Sequence, residues 1–511
     1  MNDWTSGYVT DIEYTYGYYG ELNPLRTKLA FINAGIASPE FKHACELGFG
    51  QGVSINIHAS ASNIAWFGTD FNPAQASFAQ ELNANSGNGV RLFDNSFSEF
   101  AERSDLPEFD YIGLHGIWSW ISDENRVTIV DFIKRKLRAG GILYISYNTQ
   151  PGLSNMVPMR DLLVDHMTIM GAAGDGVVKR INGAINFAEE FFSTNPKYAK
   201  ANPIVVEKMK KIKEQNRHYL AHEYFNKDWL PMTFSQMSGW LSEAKLNYVC
   251  SASYLDYFDA LNISKEQVSF LNKIADVTFR EMVRSFMMNQ EFRRDYWVKG
   301  KRSLGKKEQI DAFREQRLVL VSPADKISLK ISRSDGELTL DEKVYSPIID
   351  LMADHEPRTI AEIETLLKDK DLKFDQIVQA VLILSGLGFL QPAQNDDLIN
   401  KTKKLAGKLN QSIILRSQNS GDVTTLASPV LGGGIHVGHT EILFLLAIMQ
   451  GKKKPSEWAE TAWGVLQEQS WRIVVDSKTL QTPEEKKAEL NKQSELFASQ
   501  KLPIYKKLQM I

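Results

Sequence analysis

The run Glu46-Leu47-Gly48-Phe49-Gly50-Gln51-Gly52 is the first place in this 511-residue chain where residue type and spacing point to chemistry. Alternate glycines let a backbone turn through positive φ and approach a ligand closely, and this turn separates a short apolar run from a helix-compatible segment. Asp70 closes the next apolar run, 24 residues after Glu46, where a carboxylate can accept both hydroxyls of a ribose. The pyrophosphate fingerprint G-x-G-x-x-G is absent, and the G-x-G-x-G spacing is that of a turn for S-adenosylmethionine. After the third apolar run, Asp94-Asn95-Ser96 stands where a side chain can meet the adenine amino group. Cofactor contacts are expected from Glu46, Gly48, Gly50, Gly52, Asp70 and Phe71, with Asp94, Asn95, Ser96 and His115 completing the set.

A sulfonium methyl is transferred by in-line displacement, so positioning and exclusion of water matter more than a covalent nucleophile. His115, Trp118, Tyr147 and Asn148 all lie at or just beyond the ends of apolar runs and are expected at the acceptor side, with Tyr19. His115 has two readings, a general base or a ring that orients the methionine portion. Tyr14, Tyr16, Tyr18 and Tyr19 are expected to fold over the cofactor as an aromatic lid, offering cation–π attraction of about 1–2 kcal/mol. No metal site is expected: His218 and His222 share a helical face without a third ligand nearby. Gly432-Gly433-Gly434 lacks the Gly-Lys-Ser/Thr ending of a phosphate loop and reads as a flexible turn.

These residues need a scaffold, and the chain from 44 to 147 supplies the rhythm of one. Apolar runs at Ala44–Leu47, Ala65–Asp70, Val90–Phe93, Asp110–His115 and Gly141–Tyr147 alternate with helical segments near 52–60, 73–84, 96–102 and 124–138. That alternation predicts a parallel, Rossmann-like α/β sheet with right-handed crossovers. Residues 155–245 read as a helical insertion, after which Leu246–Ala252 and Asp295–Val298 complete the sheet, flanking one helix capped by Ser264 and running to about Asn289. The expected organisation is a cofactor-binding core over 1–165, a helical insertion with closing strands over 166–302, a mostly α, winged-helix-like region over 303–400, and a less legible C-terminal region over 401–511. The charged, glycine-containing stretch 299–307 marks a linker, and if the region beyond it recruits a polypeptide, deleting 308–511 is expected to spare cofactor binding but abolish turnover on the macromolecule.

Composition narrows the partners. Lys plus Arg number 59 against 62 Asp plus Glu, a net charge of -3, which gives no field to hold a polyanion. Residues 351–393 carry four basic and seven acidic side chains, which disfavours DNA and favours a protein contact. Two cysteines point to a reducing cytoplasm, and the opening residues lack the basic and apolar regions of an export signal. The longest apolar stretch, Ile442 to Met449, is too short to span a bilayer, so no membrane insertion is expected; a homodimer stays open.

The chain also resembles bacterial class I methyltransferases that carry a methyltransferase regulatory domain, among them outer-membrane-protein lysine methyltransferases. The resemblance rests on Gly17-Tyr18-Tyr19-Gly20-Glu21-Leu22-Asn23-Pro24, on Glu46–Gly52, on His115-Gly116-Ile117-Trp118-Ser119-Trp120 and on Ser146-Tyr147-Asn148-Thr149-Gln150-Pro151-Gly152. His222-Glu223-Tyr224 and Phe292-Arg293-Arg294-Asp295 look like the regulatory segment and its end. Asn23-Pro24 stands where the lysine enzymes tend to show His-Pro, and Phe49 where Cys is common. The resemblance implies S-adenosylmethionine-dependent methylation of a protein side chain, lysine first. The alternatives are a small-molecule or glycan methyltransferase and a non-catalytic protein that binds the cofactor.

Overall fold

The computed structural model describes residues 15–172, 174–333, 336–469, 471–475 and 478–511, so Tyr14 lies outside the described residues. Seven strands form one sheet: β1 (His43–Leu47), β2 (Ala65–Thr69), β3 (Arg91–Phe93), β4 (Phe109–Leu114), β5 (Leu137–Asn148), β6 (Leu246–Ser251) and β7 (Phe292–Lys299). Their order is β3-β2-β1-β4-β5-β7-β6, parallel from β3 to β5, with β7 antiparallel to both of its neighbours. The chain reverses direction across the sheet between β1 and β4, where Glu46 faces Gly113, and an open α/β sheet binds ligands at such a switch point.

Local chemistry explains the elements. All six residues of β4 are buried, and the sequence Phe-Asp-Tyr-Ile-Gly-Leu suits a strand covered on both faces. Helix α1 is Pro24–Asn33, α2 is Val53–Ala61 and α3 is Pro73–Ser86. Asn72 caps α3 by accepting from Ala74 N–H, and Gly87 ends it in the left-handed region. Helix α4 is Phe97–Ala101, closed at its start by a Ser96/Glu99 capping box. In α5, Asp123–Lys136, acidic residues open the first turn and Lys134, Arg135 and Lys136 occupy the last, matching the helix dipole.

Two expectations change. The segment after Ser264 is two helices, Lys265–Leu271 and Val277–Met287, because Asp276 caps a new start by accepting from Phe279 N–H at 2.7 Å. The supposed linker is docked: Arg302 C=O accepts from Ala37 N–H, and Leu304 N–H donates to Gly35 C=O.

Beyond it, three short strands pair in the antiparallel order Arg358–Thr359, Arg317–Leu320, Leu390–Ala393, with helices at Glu342–Leu351, Ile360–Leu366 and Phe374–Gly386. Leu318, Ile348 and Leu384 of this region share one continuous buried cluster with Leu29, Phe31 and Tyr296 of the sheet domain. The C-terminal helices bury Leu409, Leu443 and Leu490 in a second cluster that includes Val53 and Ile57 of α2 and Leu82 of α3. Hydrophobic burial therefore runs across both expected boundaries. The helices between β5 and β6 bury a separate core of their own around Met156, Ile181, Val205 and Leu220. Among the described residues, no helix is long and apolar enough to cross a membrane.

Candidate functional site

The carboxyl ends of β1, β2 and β4 open on a cavity of about 130 Å³. Its floor is the turn Gly48-Phe49-Gly50-Gln51. Gly48 holds φ +72° where a Cβ would overlap the Ile117 side chain, so the position requires glycine twice over. Asp70, at the end of β2, accepts from Gly50 N–H at 2.8 Å and Asn72 N–H at 3.0 Å, which fixes the carboxylate at the edge of the turn. Burial pushes its carboxyl up to about 6 even against those two donors. Phe71, Asn95, Ser96 and His115 also line this cavity. Asn95 and Ser96 are turned inward by the Thr69 hydroxyl, which donates to Asn95 C=O at 2.5 Å, and by the cap that Ser96 provides to α4.

Three residues expected at the cofactor stand elsewhere. Asp94 is exposed and does not line the cavity. Gly52 starts α2 at φ +67°, where a Cβ would overlap Ala79, so it serves the packing of α2 on α3. Glu46 lies beneath the turn, 2% exposed, with its Oε2 lacking any hydrogen-bond partner. Burial, with the neighbouring Asp70 charge adding to it, pushes the Glu46 carboxyl up to about 8. A turn at Gly48 that tolerates no Cβ, beside the Asp70 carboxylate on the edge of the cavity, fits a ribose-bearing ligand such as S-adenosylmethionine.

The roof of the cavity is an N-terminal strap that contributes Thr15, Gly17 and Tyr19. Tyr19 stacks on His115 with ring centroids 3.5 Å apart and planes 20° apart. The Tyr144 ring lies nearly parallel to that of His115, and its hydroxyl shares a 2.8 Å hydrogen bond with Nδ1. Burial holds the His115 imidazole down at about 4, so it is neutral near pH 7 and a weak proton acceptor. Of the expected lid, Tyr19 alone among the described tyrosines of the strap faces the cavity. Tyr16 packs edge-on against Phe78, and Tyr18 packs on His58 with its hydroxyl accepting from Gly434 N–H at 2.8 Å. The residues read as a flexible glycine turn belong to a hairpin, Thr425–Ser428 with Gly433–His436, that holds the strap down.

A second cavity, of about 310 Å³, adjoins the first and shares His115, Gly116 and Trp120 with it. Tyr219, Tyr224, Trp229 and Phe292 supply aromatic walls, and Glu223, Glu291 and Asn148 supply polar groups. Of the two neighbours expected at the acceptor side, Asn148 lines this second cavity and Tyr147 lines neither cavity. Consecutive residues on a strand face opposite ways, so only one of the two can reach the cavity. Tyr147 is fully buried and donates from its hydroxyl to Asp295 at 2.8 Å, within a network in which Arg293 grips Asp295 and Glu281. Trp118 is also fully buried, its Nε1–H directed at the Met232 sulfur. It shares a single 3₁₀ turn with Trp120, and at about three residues per turn the two rings leave in different directions. The sequence reading assigned no site role to Trp120, Glu223 or Trp229, because the insertion that carries Glu223 and Trp229 meets the sheet edge beside Trp120 only in three dimensions.

The seven-strand order, the glycine turn and the carboxylate after β2 define the class I methyltransferase fold. PKMT2 from Rickettsia typhi, solved in complex with AdoHcy, superposes with a TM-score of 0.69 at 18% identity, covering 97% of this chain and 99% of that one. A second PKMT2 structure from the same organism gives a TM-score of 0.67 at 17% identity, covering 98% and 99%. Residues 216–299 match a family model described as a predicted methyltransferase regulatory domain. The uncharacterized protein sll1526 of Synechocystis sp. is 39% identical over 510 residues, 99% of each chain, and the chain belongs to its family. The uncharacterized protein RP789 of Rickettsia prowazekii is 24% identical over 290 residues, 55% of this chain and 51% of that protein.

Proposed function

We propose that this protein is an S-adenosylmethionine-dependent methyltransferase that methylates the amino group of a lysine side chain in a polypeptide. The observation that carries the reading is the pair of adjoining cavities: a small one on the glycine turn with Asp70, and a larger aromatic and carboxylate-bearing one that meets it at His115, Gly116 and Trp120. Asp70 would hold the ribose hydroxyls, Asn95 and Ser96 the adenine edge, and Tyr19 and His115 the region nearest the acceptor. When bound, the cofactor supplies an electrophilic methyl: the nitrogen–carbon bond forms as the carbon–sulfur bond breaks, and sulfur keeps the electron pair as a neutral thioether.

The chain's own task is then to admit an amine, strip its water and aim it. Aromatic faces attract an ammonium by about 1–2 kcal/mol each when desolvated, and a carboxylate supplies the opposite charge. Among the lining residues of the larger cavity there is no Lys or Arg to repel a cation. The name PKMT2 of the R. typhi protein and the AdoHcy bound in its complex support this choice of acceptor and cofactor. The test is incubation with methyl-labelled S-adenosylmethionine and cell lysate, followed by hydrolysis of labelled polypeptide. Methyl-lysine is the expected product. Label confined to solvent-extractable material would replace the polypeptide acceptor with a small molecule.

A further inference from the structure

The larger cavity contains a carboxylate whose surroundings suit it for proton transfer. We propose that Glu223 is the base that takes the proton from the acceptor ammonium, an inference that rests on the amine reading above. Glu223 sits in the last turn of the helix Arg217–Tyr224, which Asn216 caps at its far end. The carboxyl end of a helix carries partial negative charge, so this position favours an incoming cation and disfavours a bare carboxylate. Its backbone is pinned to the edge shared by the two cavities, because Trp120 Nε1–H donates to Glu223 C=O at 3.5 Å.

The groups facing Glu223 make it the available acceptor. On its own helix are Tyr219 and Tyr224, both raised by burial and neutral at any physiological pH. Glu291, the cavity's other carboxylate, is already paired with Lys208 of the helix Pro203–Glu214 at 2.6 Å. Glu223 has no ion-pair partner among the described residues. Burial pushes its carboxyl up to about 7, close to where a general base works best, whereas His115 across the cavity is held at about 4.

The step balances simply. The ammonium loses a proton to a Glu223 carboxylate oxygen, its freed lone pair attacks the methyl carbon, and the neutral Glu223 carboxyl returns the proton to water through the mouth of the cavity. The need is large, since a lysine amine with an ordinary value near 10.4 is neutral in only about one molecule in a thousand at pH 7.5.

The test compares the full-length protein with Glu223→Gln, using poly-L-lysine as acceptor across pH 6 to 10 and calorimetry of S-adenosylmethionine binding as the control. Glu223→Gln should bind the cofactor within about twofold of wild type and lose about a hundredfold in kcat at pH 7.5. Its rate should climb about tenfold per pH unit toward 10, as solution takes over the deprotonation, while the wild-type rate levels off above pH 7. Glu223→Ala should regain part of its rate on addition of formate. A Glu223→Gln protein with wild-type kcat, or with a loss that is the same at every pH, overturns the assignment and leaves the methyltransferase reading standing. A wild-type protein that binds S-adenosylmethionine but transfers methyl to no amine removes the amine reading and this inference together.

Discussion

Replacing Glu46 by Gln should flatten the pH dependence of stability in a way that the burial of this side chain makes calculable. Glu46 is 2% exposed, one Oε2 has no partner, and its carboxyl is pushed from the ordinary 4.5 up to about 8. The folded state therefore holds a proton that the unfolded chain releases. The stability this gives is fully present below 4.5 and is lost as pH rises through 8. Between pH 6 and pH 8 the unfolded carboxyl is ionised throughout, whereas the folded one goes from fully to half protonated, so the protein loses about 2 kcal/mol from this group alone. Glutamine keeps the shape and cannot ionise. For a cooperative unit of a few hundred residues that difference corresponds to about 4–8 °C in Tm. Thermal melts of the cofactor-free protein at pH 6 and pH 8 should show the wild type falling further than Glu46→Gln by that amount. Parallel curves for the two proteins would refute the claim that Glu46 is held neutral by the fold.

Asp70→Ala should weaken S-adenosylmethionine binding by about 1.5–3 kcal/mol with the fold retained, read by calorimetry, because a charge-assisted pair of contacts is removed. Wild-type cofactor affinity should also fall below about pH 6 as the Asp70 carboxyl protonates, and equal affinity at pH 5 and pH 7.5 would contradict that role. Tyr147→Phe should cost about 1–3 kcal/mol of stability by stripping a donor from buried Asp295, while cofactor affinity stays unchanged; a loss of turnover without destabilisation would return Tyr147 to the acceptor side. A 1–307 fragment should be insoluble or molten, and a sharp cooperative melt from it would show that the shared buried cluster is dispensable.

The parts of the site legible in the sequence were those a local rule fixes. Gly48 and Gly50 follow from the turn, Asp70 from its place after β2, and the seven strands from alternation of apolar and polar runs. Boundaries erred where a single side chain decides, as when Asp276 restarts a helix that periodicity alone would continue. Orientation erred at Trp118 and Tyr147 because position along the chain carries no statement of which face a side chain takes until the turn type or strand register is known. Tyr16 and Tyr18 read as a lid because nothing in their own neighbourhood announces Phe78 as the partner of the one or Gly434, more than four hundred residues away, as the partner of the other. Glu223 belongs to the same class: its chemistry comes from the aromatic residues and helix end around it, brought together by the insertion's own core.

The bond between the Tyr18 hydroxyl and Gly434 spans 416 residues of chain. The strap's other hold lies within the sheet domain, where Tyr19 N–H donates to Ser54 Oγ at 2.7 Å and the Tyr19 ring stacks on His115. At about 5–20 residues per second of synthesis, Gly434 follows Tyr18 by about 20–80 s, so the two fastenings of the strap become available at different times.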